Sequence, residues 1–291
     1  MNFGEVDFCP DMDNLNLNAK RVSELLAAEL FDRNETVRNL FEARYDQMKR
    51  NYLDVRHGDS KWNLNGLETD KTDKAALLSV PRERLGNCGG LVERLWDFHN
   101  FGHDMPTWMA KRGGQRSPRV MIVSQDPLRT NHGPGRLVLS TPFGFHSADY
   151  RKVNCENPIL FRMVDRILDD CGACVYLTDC RKFFAEGPTA TFKLMNERSY
   201  RTAFKKVLDE EMTMFDPEAV VTLGNEAADY VGAKQPKAGV AAQTVNGRTV
   251  VASYHPGVRP RHLRRFSFVT ADRPYDAYFG RIVEEIQKLL R

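Results

Sequence analysis

At 291 residues and 42% apolar content, the chain has the composition of an ordinary globular protein, one large domain with or without an extension. No window approaches 18 apolar residues, which excludes a membrane-spanning helix, and Met1–Asp7 lacks the basic and apolar regions of a secretory signal. Six cysteines in such a chain read as reduced thiols of a cytoplasmic protein, and the net charge of +3 informs only through its distribution.

Residues 1–80 read as a charged helical extension. From Ser23 to about Tyr52 the apolar positions Leu25, Leu26, Leu30, Val37, Leu40, Phe41 and Tyr45 recur at helical spacing, and Lys61–Gly66 breaks the pattern with a loop. Residues 81–291 read as one α/β domain. A helical piece is expected near 90–98, and Gly113–Pro118 leads into a strand at 119–124. A long loop over 125–156, a helix near 158–169, a strand at 174–178 and a helix near 196–212 come next. Ala219–Leu223 predicts a third strand, Gly224 and Asn225 open a helix over 226–230, and a strand at 249–254 precedes a closing helix near 274–290. Such alternation implies a three-layer α/β/α sandwich around a central, mainly parallel four-stranded sheet, plus the N-terminal helical extension.

Two tripeptides carry the chemistry. Gln125-Asp126-Pro127 closes the apolar run Val120–Ser124, and Tyr254-His255-Pro256 closes the run Thr249–Ser253. In a parallel sheet, residues just past the carboxyl ends of strands line the ligand crevice. A carboxylate and an imidazole delivered there, each followed by a proline, make an acid–base pair. An aspartate before proline is by itself an ordinary turn cap, and a lone histidine an ordinary loop residue; their matched strand-end positions favour catalysis. Just beyond His255, residues 259–265 hold four arginines and one histidine with no acid, a run suited to a polyanion.

These motifs resemble the uracil-DNA glycosylase superfamily. Its first motif ends a strand with a water-activating acid, written Gly-Gln-Asp-Pro-Tyr-His in the best-known branch and standing here as Ser124-Gln125-Asp126-Pro127-Leu128. Its second begins His-Pro and continues into a DNA-wedging loop, here His255-Pro256-Gly257-Val258-Arg259-Pro260. Between them, Val175–Asp179 is similar to the strand that ends in the family's base-reading asparagine, and Val220–Asn225 to another recurrent strand and turn. The likeness spans roughly 117–268 and leaves the N-terminal third unmatched.

The resemblance implies a monofunctional DNA glycosylase without a cofactor, acting on a base flipped out of double-stranded DNA. Asp126 would stabilise the cationic sugar and orient water; a carboxylate about 4 Å from that charge is worth on the order of 4 kcal/mol, roughly a thousandfold in rate. His255 would donate to the base O2 as negative charge gathers there. Gln125 and Leu128 would line the base pocket, and Phe143, or alternatively Phe145, would lie under the extruded base. Arg259 or Val258 would fill the vacated stack, with Arg261, Arg264 and Arg265 on phosphates.

Two departures bear on the base. Asp179 replaces the family's asparagine; protonated, as buried carboxyls tend to be, it offers the donor–acceptor edge that a cytosine requires rather than the one uracil requires. Leu128 replaces the tyrosine that blocks C5 substituents, and the loop to Phe143 is longer. Together they point to a 5-substituted cytosine, such as hydroxymethylcytosine or its glucosylated form, and to a role against phage DNA. Uracil or thymine excision in repair stays open, as does a DNA-binding module that excises nothing. Cys171 and Cys174, with Cys155 and Cys180 nearby, invite a metal reading, but the N-terminal Cys-x-x-Cys of the iron–sulfur branches is absent because Cys9 and Cys88 stand alone. Small buried hydrophobes account better for these cysteines, so no metal is expected. Composition identifies no protein partner.

Overall fold

The computed structural model describes residues 6–56, 77–111, 117–127, 133–146, 158–186, 194–255, 260–269 and 272–290. In chain order the strands are β1 (Val6–Phe8), β2 (Leu78–Pro81), β3 (Asn100–Asp104), β4 (Thr107–Lys111), β5 (Arg119–Ser124), β6 (Arg136–Ser140), β7 (Cys174–Asp179), β8 (Phe183–Glu186), β9 (Ala219–Leu223), β10 (Val240–Val245) and β11 (Arg248–Ser253). The principal helices are α1 (Ala19–Leu30), α2 (Glu35–Arg56), α3 (Pro158–Asp170), α4 (Arg198–Phe215), α5 (Asn225–Val231) and α6 (Pro274–Leu289).

The main sheet has seven strands in the order β1-β4-β7-β5-β9-β11-β10. Its centre, β7-β5-β9-β11, is parallel throughout, as the alternating pattern requires. Antiparallel strands extend both edges: β4 then β1 beyond β7, and β10 beyond β11. Helices α3 and α6 touch each other and cover β7, β10 and β11, while α4 lies against β5 with α1 packed on it.

Three edge strands and a second sheet escape the periodicity. The β10–β11 hairpin turns at Asn246 and Gly247, both at positive φ (49° and 77°), the geometry of a two-residue hairpin turn. That Asn-Gly pair is the sequence signal for β10. The second sheet has the order β2-β6-β3-β8. Its strand β6 lies inside the stretch expected to be a loop over 125–156, where Leu137, Val138 and Leu139 are all buried. The helix expected near 90–98 shrinks to the single turn Gly90–Glu93.

The N-terminal segment is not helical alone: β1 joins the main sheet and β2 the second. Asn18 caps α1 by accepting from the Arg21 amide at 2.9 Å, and its buried positions Ala19, Val22, Ser23, Leu26, Ala27 and Leu30 form one stripe. Phe31 meets His103 and Phe183 of the second sheet edge to face, 5.5 Å from Phe183, and Phe41 packs beside it at a tilt on His103. Tyr45 lies 5.3 Å from Trp108, which stacks on Tyr176 at 5.9 Å. One continuous apolar core results, running from Phe8 to Ile286.

A buried ion pair ties β7 to α4. Lys182, 1% exposed, places Nζ 2.7 Å from Glu211, 0% exposed, and donates to Thr178 Oγ1 at 2.7 Å. Burial pushes the Glu211 carboxyl up, and the Lys182 ammonium pulls it back down. Removing one member strands a buried charge, so Glu211→Ala is expected to lower stability by about 3–5 kcal/mol in denaturant unfolding, with most of the loss recovered by Lys182→Met combined with Glu211→Leu. An unchanged midpoint for Glu211→Ala would contradict this role.

Candidate active site

The site forms where the four parallel strands end together. Ser124 pairs with Asp179 across β5 and β7, and the ladder continues past both strand ends. The Cys180 amide donates to the Ser124 carbonyl and the Arg181 amide to the Gln125 carbonyl, both at 2.9 Å. This extension carries Asp126, Asp179 and Arg181 to one place. The Ser124 hydroxyl donates to Asp179 Oδ1, and Asp179 is 2% exposed.

Arg181 is the residue that the motifs did not announce. Although charged, its side chain is 2% exposed. One amino group donates to Asn196 Oδ1 at 3.0 Å and lies 3.0 Å from Glu226 Oε1; the other lies 3.6 Å from Asp126 Oδ2. Glu226 comes from the first turn of α5, which begins where β9 ends. The only signal for Arg181 in the sequence is an arginine two residues past the end of a largely apolar strand, too common a pattern to single out.

Asp126 is 27% exposed and is pushed up to about 6, first by burial and then by the Asp179 charge; Arg181 and a Gln125 hydrogen bond act the other way, and Glu226 adds a small upward push. Burial pulls His255 down, which keeps the imidazole neutral at physiological pH. Its backbone is set by two contacts. The Gly224 amide donates to the Ser253 carbonyl at 2.8 Å, and the Tyr278 hydroxyl accepts from the Tyr254 amide at 2.7 Å. Gly224 has φ +95°, so a side chain at this position would be strained; a Cβ there would meet the His255 Cβ at an ordinary contact distance of 3.6 Å.

The two candidate aromatics have different surroundings. Phe145 is buried with its ring 4.7 Å from Phe161, so it packs in the core. Phe143 is half-buried and held at φ +59° within the turn Pro142–Gly144, an uncommon conformation for a bulky residue. Leu128, Val258 and Arg259 lie outside the described residues. Of the other arginines, Arg261 is exposed and meets His262 at 3.2 Å, and Arg264 is exposed. Arg265 lays its guanidinium over Tyr254 at 4.5 Å and Phe266 at 4.8 Å, so it also braces the residue before His255.

Among the described residues, no group of three or more His, Cys, Asp or Glu side chains is arranged to hold a metal ion. Cys9, Cys88, Cys171, Cys174 and Cys180 are free thiols, each pushed up by burial. Cys155 lies outside the described residues. No helix among the described residues is long and apolar enough to cross a membrane.

A family model described as the uracil DNA glycosylase superfamily matches residues 111–279, more than half of the chain. The matched span contains β5, β7, β9 and β11 and every residue of the strand-end cluster. No curated protein matches the chain.

The raised Asp126 value has a consequence for stability. Its folded value of about 6 lies above the ordinary aspartate value of 3.8, so its contribution is fully present below pH 3.8 and is lost as pH rises through about 6. Asp126→Asn is therefore expected to stabilise the protein at pH 8 by on the order of 2 kcal/mol and to change little at pH 4. Chemical denaturation at the two pH values measures it, and equal stability of variant and wild type at pH 8 would refute it.

Proposed function

Because the chain belongs to the uracil DNA glycosylase superfamily, with the DNA glycosylase activity that membership generally implies, we propose that it hydrolyses the N-glycosidic bond of a flipped pyrimidine, favouring a 5-substituted cytosine. The observation that carries the reading is the pair of unlike carboxyls at the ends of β5 and β7. Asp126 faces a buried cation at 3.6 Å, whereas Asp179 is buried beside Asp126 and accepts from Ser124.

Arg181 favours charge on Asp126, and two adjacent carboxylates resist double ionisation. A base closing over the site removes the water that would support a second charge. The proton then resides on Asp179. With Ser124 donating to Oδ1, that oxygen is an acceptor, and a proton on the other oxygen completes the donor–acceptor edge that cytosine N3 and N4 need. Ionised Asp126 meets the positive charge that develops on the sugar as the bond breaks, and directs water to the sugar carbon. Neutral His255 donates a hydrogen bond to base O2 as the leaving base takes up the electron pair. Phe143 supplies a ring face for stacking, and the sequence carries Leu128 where the uracil-specific branch has the tyrosine that blocks C5 substituents.

Hydroxymethylated and glucosylated cytosines are bases of phage DNA, which makes defence against phage the corresponding biological role. A cytoplasmic location and action on double-stranded DNA belong to the same reading. The exposed Arg261 and Arg264 are suited to meet DNA phosphates, and Val258 and Arg259 precede them in the sequence. Uracil or thymine excision is the second reading, favoured by the family match itself.

Duplexes carrying uracil, thymine, 5-methylcytosine, hydroxymethylcytosine or glucosylated hydroxymethylcytosine, followed by alkaline cleavage, separate the readings. Cleavage at the substituted cytosines is expected; release of uracil alone would sink the cytosine assignment. On the productive duplex, Asp126→Asn should lower single-turnover excision roughly a thousandfold while DNA binding persists. Phe143→Ala should lower it on the order of tenfold to a hundredfold, the worth of one stacked base. A chain that binds the duplexes equally well with Asp126 or Asn and cleaves none is a DNA-binding module.

A further inference from the structure

We infer that Arg181 and Glu226 form a positioning device for Asp126: a buried guanidinium, anchored on one side by Glu226 and Asn196, orients the Asp126 carboxylate and holds it ionised. The inference rests on the reading of Asp126 as the group that acts on the sugar, and assigns roles to two residues outside both motifs.

The geometry divides the guanidinium into two halves. One amino group is committed to structure, 3.0 Å from both Glu226 Oε1 and Asn196 Oδ1. The other faces Asp126 Oδ2 at 3.6 Å, too long for a hydrogen bond but close enough for strong attraction where water is scarce. Asp126 is thus steadied while its lone pairs stay available to organise water. A tighter, bidentate pair would neutralise the carboxylate and blunt its effect on a cationic sugar.

The charges facing Asp126 explain why a dedicated cation is needed. From β7 comes Asp179, from the bend just after it Arg181, from α5 Glu226, and from its own strand end the Gln125 side chain. Two of the three ionisable neighbours are acids, and burial adds to their effect. Arg181 is the single cation among these neighbours. It in turn faces Asp126, Glu226 and Asn196, with Cys180 and Tyr230 close enough to feel its charge.

Glu226 is itself shared. Arg201, on α4, lies 3.3 Å from Glu226 and 2.7 Å from Asp229, with its guanidinium 4.9 Å above the Tyr230 ring. The result is an alternating chain of charge, Arg201, Glu226, Arg181, Asp126, running from the half-exposed surface to the strand ends. Glu226 fixes Arg181 in place and also draws on its charge, so its removal should leave more of that charge for Asp126.

A carboxyl ¹³C NMR titration of Asp126 in the full-length chain tests this without any substrate. Arg181→Gln should move the Asp126 midpoint up by about one pH unit or more, and Arg181→Lys by less, because its charge is kept. Glu226→Gln should move it down. On a productive duplex, the acid limb of single-turnover excision should follow each midpoint, so that Arg181→Gln recovers rate toward alkaline pH. A merely structural Arg181 would lower stability and leave the Asp126 midpoint in place, which would overturn the inference. Where Arg181→Gln fails to fold, Arg181→Lys decides: an Asp126 midpoint identical to the wild type's would overturn the inference. If the midpoints move as expected but the wild type cleaves no duplex, the glycosylase reading fails and the positioning inference stands.

Discussion

Immediately after β7 the chain carries two cations, Arg181 and Lys182, into the interior, and burying them constrains everything around the strand ends. Removing such ions from water costs several kcal/mol each unless partners are in place. Lys182 is met on the α4 side by Glu211 and Thr178, and Arg181 on the cleft side by Glu226, Asn196 and Asp126. Those partners come from β5, β7, α4, α5 and the turn before α4. The two buried charges therefore specify how the helical layer meets the sheet. Alternation along the chain sends Thr178 toward α4 and Asp179 toward the cleft, and the same alternation separates a structural cation from one that faces the site.

The second sheet and the N-terminal helices extend this frame. β8 begins directly after Lys182, and His103 on β3 donates from Nδ1 to the Lys182 carbonyl at 2.6 Å. Phe31 and Phe41 close over His103 and Phe183, which anchors the α1–α2 pair on the reverse of the turn that holds Arg181. The N-terminal segment thus shares a core with the domain that carries the family match, although that match begins only at residue 111.

At the other side of the crevice, His255 depends on packing of a different kind. The Tyr278 hydroxyl of α6 accepts from the Tyr254 amide and donates to the Gly239 carbonyl at 3.0 Å, and Gly224 admits the His255 backbone at close range. Asp126 and His255 are consequently held by opposite means, one by charge and one by backbone hydrogen bonds. That division suits a site in which one group must remain anionic and the other neutral.

The four parallel strands, their helices and the strand-end positions of Asp126, Asp179 and His255 were legible in the chain, because buried β-branched runs and their terminating residues are local signals. The Asn246-Gly247 turn was equally local, and β10 follows from it. Other features had no such signal. Whether Phe143 or Phe145 enters the core depends on where α3 places Phe161, and β6 acquires a partner only when β2 and β3 arrive from distant sequence. Arg181 is the clearest case: as a residue it is one arginine among many, and only the convergence of Glu226, Asn196 and Asp126 makes its burial tolerable and gives it a role. By itself the sequence determined the four parallel strands and which acids and imidazole stand at their ends. Tertiary structure alone decided which charges those groups must share, because electrostatic coupling depends on distance and desolvation, and neither exists until the elements pack.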